Sequence, residues 1–362
     1  MPPIPLVDVK AQYAPLLDEI RQRIDAVLDA GVFILGPNVK AFEEEAAHYL
    51  GVPETIGVGN GTDAIVLVLE ALGVGRGDEV ICPSFTFYAT AEAIARTGAT
   101  PVFADIDPAT LNLDPEDVAA RVTPRTRAIM PVHLFGRPTP LAELAELGPP
   151  LIEDAAQAFG SPGIARAGVA STFSFYPTKN LFALGDAGLV AATDGDLGER
   201  IRLLRFHGSR DKKTFFYVGT NSRLDELQAA VLRVFLTRMD AWTQLRREAA
   251  ERYAELGLGE LVEIPQDEPG HVYHLFVCRS PERDPIRAAL TEAEIGNAQY
   301  YLPPLHLQPA FSYLRYKEGD FPETERVAAE NFSIPLWAGI DAATQDRVVS
   351  AVREAVTAKV GS

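Results

Sequence analysis

From about Pro53 to Val190 the sequence alternates short, β-branched apolar runs with amphipathic stretches. That alternation is the mark of βαβ units, in which a mostly parallel sheet is covered by helices on both faces. The apolar runs predict strands at 55–58, 79–82, 100–104, 128–131, 150–153, 172–175 and 188–192, with helices between most of them. Asp114-Pro115-Glu116-Asp117 reads as a helix start, Asp114 capping and Pro115 in the first turn. Beyond residue 225, helical spacing predicts one long helical stretch ending near Leu256. A strand at 274–278, a helix at 285–293, an aromatic and proline-rich loop at 300–309 and a final helix at 342–358 complete the pattern. At 362 residues, 47% hydrophobic, the chain is long enough for two units. The expected division is a larger unit, 1–240, and a smaller α+β unit, 241–362.

Composition narrows the function classes. A formal net charge of -17 opposes a polyanionic partner, and the basic residues form no stripe, so nucleic acid is not expected. A small anion remains compatible, given a locally positive pocket. No run approaches the ~18 apolar residues of a membrane span, and the start of the chain is not that of a secretory leader, so a cytoplasmic protein is expected. Cys82 and Cys278 stand alone, and none of the six dispersed histidines has metal-ligand spacing to another. In that setting the glycosylation triplets at Asn60 and Asn331 are set aside.

Three segments carry chemistry. Gly57-Val58-Gly59-Asn60-Gly61-Thr62-Asp63 joins a strand to an apolar helix, where free N–H groups and the helix dipole suit a phosphate. It is equally compatible with an ordinary turn capped by Thr62 or Asp63. A dinucleotide fingerprint fails at Thr62, where its third glycine belongs. In Leu151-Ile152-Glu153-Asp154-Ala155-Ala156-Gln157 a strand ends in carboxylates, at the edge where open α/β sheets place ligands. Asp154 could hold a pyridine nitrogen protonated or simply cap the next helix. Ser174-Phe175-Tyr176-Pro177-Thr178-Lys179 puts a lone lysine in a loop among apolar residues, where desolvation would make its amine nucleophilic. Solvation of the lysine is the plain alternative. Phe87, after the second strand, has a face for a flat heterocycle, whereas Phe85 reads as core.

In this order the segments resemble a fold-type I pyridoxal-phosphate aminotransferase, and more narrowly the DegT/DnrJ/EryC1/StrS sugar aminotransferases. Phe33-Ile34-Leu35-Gly36-Pro37, Asn221-Ser222-Arg223-Leu224-Asp225 and Pro303-Pro304-Leu305-His306 extend the likeness from end to end. The resemblance implies a large domain with a mostly parallel seven-stranded sheet, pyridoxal 5'-phosphate as cofactor, and Lys179 as Schiff-base lysine and proton shuttle. It implies that Asp154 holds the ring nitrogen, Gln157 meets the ring hydroxyl, and Phe87 stacks on the ring. Gly61, Thr62 and Ser174 would bind the phosphate, with Asn221 arriving from the other subunit of a homodimer. Phe33, Arg223, Tyr301 and His306 would touch substrate, a nucleotide-linked keto sugar aminated at C3 with glutamate as donor. A 4-keto substrate and a regulatory protein of the same fold are the alternatives. Lys179 argues against the dehydratase branch, which has histidine there. Ala187 and Phe206 depart from the usual pattern.

Overall fold

The computed structural model describes residues 2–360. Seven strands form where the branched apolar runs lie: β1 (Glu54–Val58), β2 (Glu79–Pro83), β3 (Thr100–Ala104), β4 (Thr126–Ile129), β5 (Ile152–Asp154), β6 (Ala170–Ser174) and β7 (Gly188–Ala192). Hydrogen bonding orders them β1-β7-β6-β5 and β3-β2-β4. Parallel bridges Ile129 to Leu151 and Val132 to Asp154 join β4 to β5, so the sheet continues across all seven. Its pairs are parallel except at β7, which runs antiparallel to both β1 and β6. Residues 175–187, between β6 and β7, hold no helix and return the chain directly to the sheet edge it left. That short return forces the antiparallel pairing. It also puts Lys179 in the returning loop.

The Gly61–Ala71 helix shows why the first turn is rigid. Ala64 through Leu69 are all buried, apolar on every side, because the helix is enclosed between the sheet and the helices Tyr88–Arg96 and Gly195–Leu204. On β5, alternate residues face opposite ways. Glu153, fully buried, accepts hydrogen bonds from His133 Nε2 and from the N–H groups of Ala165 and Gly168. Burial pushes the Glu153 carboxyl up, but these donors outweigh it and hold the acid below its ordinary range. Its neighbour Asp154 faces the cavity described below.

The helical stretch expected to run unbroken to Leu256 is two helices, Glu226–Leu236 and Met239–Glu255. Thr237 Oγ turns back to the Val234 carbonyl, 2.7 Å away, at the break. A further core gathers Tyr253, Phe276, Leu290, Phe332 and Val352 around β8 (Phe276–Arg279) and β9 (Asn331–Ile334), an antiparallel pair. Ile4 joins this core and bridges to Ile295, while Leu305, Phe311 and Phe321 pack into the core of the large sheet. The chain therefore crosses between the two cores more than once. No described helix is long and apolar enough to cross a membrane.

Candidate active site

A cavity of about 1090 Å³ opens at the ends of β1, β2, β5 and β6, and its lining includes Gly61, Thr62, Phe87, Asp154, Gln157, Ser174, Lys179, His274 and Tyr301. The strand-edge location follows from topology: each strand delivers its last side chain or its following loop to the same rim.

At one end lies the start of the Gly61–Ala71 helix. Asn60, and neither Thr62 nor Asp63, is the N-cap, its Oδ1 accepting from Asp63 N at 2.8 Å. Asn60 is extended, so its side chain folds over the first turn and leaves the Thr62 hydroxyl free of capping. The Gly61 and Thr62 N–H groups, first in the helix, have no acceptor within it. Ser174 stands against them. A Cβ on Gly61 would lie 2.7 Å from Ser174 Cβ, and one on Gly188 would lie 2.4 Å from the Asn60 carbonyl carbon and oxygen. Glycine at both places brings β6, β7 and the helix start together into an anion cradle. Gly188→Ala forces the Asn60–Gly61 backbone away from β7, so it should both lower the melting temperature and weaken retention of pyridoxal phosphate at least about tenfold. Absorbance titration reads this out, and unchanged retention would remove the cradle's close packing from the explanation.

Asp154 is 4% exposed and forms no ion pair among the described residues. Thr90 Oγ donates to its Oδ2 at 2.8 Å, and Ala156 N–H to its Oδ1 at 3.2 Å. Burial raises its carboxyl above the ordinary range, and Thr90, Ala156 N–H, Lys179 and His133 only partly offset this. A buried carboxylate without a cation is costly, and a protonated ring nitrogen is the partner that would relieve it. Gln157 is fixed by Phe135 N–H, which donates to Oε1 at 2.8 Å; its Nε2 donates to Tyr301 Oη at 3.2 Å. Phe87, 56% exposed, lies at the rim with its ring 6.1 Å from that of Tyr301. Lys179 makes no side-chain hydrogen bond or ion pair among the described residues, and burial lowers its pKa from 10.5 to about 8 against the pull of Asp154. These residues fit pyridoxal phosphate: an anion cradle, an unpaired acid and a poised amine share one cavity.

Other expected site residues lie elsewhere. His306 is 2% exposed and outside the cavity; its Nδ1 meets Ser84 Oγ at 2.6 Å and its Nε2 meets Glu325 at 3.0 Å. Both nitrogens are engaged within this chain, away from its own cavity. Phe33 is 46% exposed on the surface, pinned where its carbonyl accepts from Glu226 N–H and where Ile34 bridges to Asp225. It does not reach this chain's cavity, nor do the exposed Asn221 or the half-buried Arg223, whose guanidinium lies over the Phe206 ring. The expected positive pocket is also different, since the lining acids Asp63, Glu92, Asp154 and Asp186 face only Lys179 and Arg96. Sequence reading missed Thr90 and His274. Thr90, one turn from Thr86 on a helix aimed at the site, offered a faint signal in its hydroxyl pair; His274 offered none.

The DegT/DnrJ/EryC1/StrS aminotransferase family matches residues 16–353. A Streptomyces venezuelae protein named dTDP-3-amino-3,4,6-trideoxy-alpha-D-glucose transaminase is 42% identical over 98% of this chain and 96% of its own. A Geobacillus stearothermophilus protein named pleiotropic regulatory protein is 45% identical over 97% of this chain and 98% of its own. Among solved structures, S. venezuelae DesV in complex with a ketimine intermediate superposes with a TM-score of 0.95, 42% identity and 98% coverage of both chains. The chain belongs to the DegT/DnrJ/EryC1/StrS aminotransferase family, whose members work with pyridoxal 5'-phosphate.

Proposed function

We propose that the enzyme transfers an amino group from glutamate to the C3 keto group of a nucleotide-linked sugar, working as a homodimer whose subunits share each active site. One observation carries the chemistry: the unpaired, buried Asp154 and the desolvated Lys179 amine line the same cavity. When bound, pyridoxal phosphate supplies an electron sink. Asp154 holds the proton on the ring nitrogen, and Gln157 with Tyr301 meets the ring hydroxyl. The Gly61 and Thr62 N–H groups and Ser174 bind the phosphate, and Phe87 covers the ring. Lys179, unprotonated in a useful fraction near neutral pH, takes and returns a proton at the substrate carbon.

Charge supports the shared site. A nucleoside diphosphate brings at least two negative charges to a lining with four acids and two bases. Arg223 and Asn221 of a second copy would supply the missing donors. The apolar surface of Phe33, Phe215, Phe216 and Val218, the last 99% exposed, is what such a copy would cover. The C3 assignment is supported by relatives named for 3-amino products or 3-keto substrates, such as the Acidithiobacillus ferrooxidans UDP-N-acetyl-3-dehydro-alpha-D-glucosamine 3-aminotransferase, 40% identical over 97% of each chain. Incubation with glutamate and a panel of 3-keto and 4-keto nucleotide sugars, followed by NMR of the product, should place the new amine on C3. Amination at C4 alone would overturn the position, and no amination of any member would overturn the substrate class.

A further inference from the structure

The backbone of Asp154 is anchored on both sides, its N–H donating to the Pro131 carbonyl at 2.9 Å and its carbonyl accepting from His133 N–H at 3.0 Å. Those bonds fix the strand end and leave the carboxyl free to turn. Among the described residues two donors stop it, one on each oxygen: Ala156 N–H on Oδ1 and the Thr90 hydroxyl on Oδ2. The first is a local turn that moves with its own loop. The second comes from the first turn of the Tyr88–Arg96 helix, 64 residues away in the chain.

A helical threonine often turns its hydroxyl back to a carbonyl of the preceding turn. Thr90 aims instead at the acid, and Thr86 stands behind it, the two Oγ atoms 3.2 Å apart. Both threonines are 1% exposed. An ionised carboxylate only accepts, so Thr90 gives its single hydroxyl hydrogen to Asp154, and Thr86 must then donate to Thr90. A protonated acid imposes no such order. The direction of the two hydroxyls is therefore tied to the charge on Asp154, and each bond in such a chain polarises the next. Thr90 does not border the cavity, so it acts on the site only through the acid.

We propose that Thr90, backed by Thr86, is a positioning residue for Asp154: it holds Oδ2 in one orientation and keeps the acid ionised, so that the proton shared with the cofactor's ring nitrogen stays on the nitrogen. Burial raises the Asp154 carboxyl, and the Thr90 hydroxyl is the strongest of the groups that oppose burial, ahead of Ala156 N–H, Lys179 and His133. Cys82 on β2 and Tyr301 in the aromatic loop also lie within reach of its charge, and burial raises both, so both stay neutral. Asp63, Glu92, Arg96, Asp186 and His274 line the same cavity.

The inference rests on Asp154 as the partner of the ring nitrogen and is independent of the sugar. Carbon-13 NMR of the full-length chain labelled at aspartate, before cofactor loading, follows the Asp154 carboxyl with pH, its signal assigned by its loss in Asp154→Asn. A hydrogen bond to the ionised form favours that form. Thr90→Val keeps the shape and removes the donor, so the midpoint should rise by about one pH unit, the worth of one charge-assisted hydrogen bond, and Thr90→Ser should restore it. Equal midpoints in all three, the result for a threonine that only packs, would overturn the proposal. In the loaded enzyme, ¹⁵N in the cofactor ring should resonate as protonated in the parent and the Ser variant and move toward neutral pyridine in the Val variant. A ring equally protonated in all three overturns the role of Thr90, whereas a ring unprotonated in the parent overturns that of Asp154 and the proposal with it. If the Val variant does not fold, the Thr90 hydroxyl proton of the unaltered enzyme decides. A coupling to the Asp154 carboxyl carbon across the hydrogen bond supports the proposal, and its absence overturns it.

Discussion

Lys179→Ala should lose amination by about four orders of magnitude or more, the combined loss of a nucleophile and of the group that moves the proton. The purified variant should also lose the yellow colour of lysine-bound cofactor while still retaining pyridoxal phosphate through the cradle of Gly61, Thr62 and Ser174. Steady-state rates with glutamate and an absorption spectrum give both results, and a variant that stays yellow and active would remove Lys179 from the mechanism. Stability should move the other way. The folded chain holds the Lys179 proton less tightly than the unfolded chain, with a midpoint of about 8 against 10.5. The unfolded state then binds more protons between those values, so this group adds stability as pH rises through that window and subtracts it below. Lys179→Ala should flatten that rise in the cofactor-free protein's melting profile.

Asp154→Asn should lower the amination rate about a thousandfold, corresponding to about 4 kcal/mol, the scale of breaking a buried charge pair. The amide preserves shape but cannot hold a proton on a ring nitrogen. Rates measured with glutamate test this; a loss under tenfold would leave Asp154 as a packing group. Here the sign is that of an acid raised by burial. The folded chain without cofactor binds the Asp154 proton more tightly than the unfolded chain does. Its contribution is lost as pH climbs past the ordinary carboxylate range, so the Asn variant should melt higher than the parent near neutral pH when cofactor is absent. Activity and bare-protein stability oppose each other at both positions.

All seven strands of the large sheet were legible within about two residues, because branched apolar runs bounded by turn residues leave little choice once helices must cover both faces. The direction of β7 was not legible, since reversal depends on the absence of a helix in the loop that carries Lys179. β9 was hidden in Asn331-Phe332-Ser333, read as a chance triplet, and the Pro322–Glu330 helix before it was not predicted. The expected strand at 274–278 begins instead at Phe276. That two-residue shift takes His274 out of a sheet and puts it in the cavity wall, a change no periodicity could show. The surroundings of His306 were equally hidden, because Ser84 and Glu325, which engage both of its nitrogens, are remote in sequence.

Two acids of nearly the same chemistry stand side by side on β5. Glu153 has three donors and Asp154 faces the cavity, and the pleat of the strand alone decides which is which. Deleting a single residue just before Ile152 would swap their sides, sending the well-served acid toward the cofactor and the solitary one into the protein interior. The division of labour between anchoring a loop and charging a ring is therefore encoded in the parity of position along the strand.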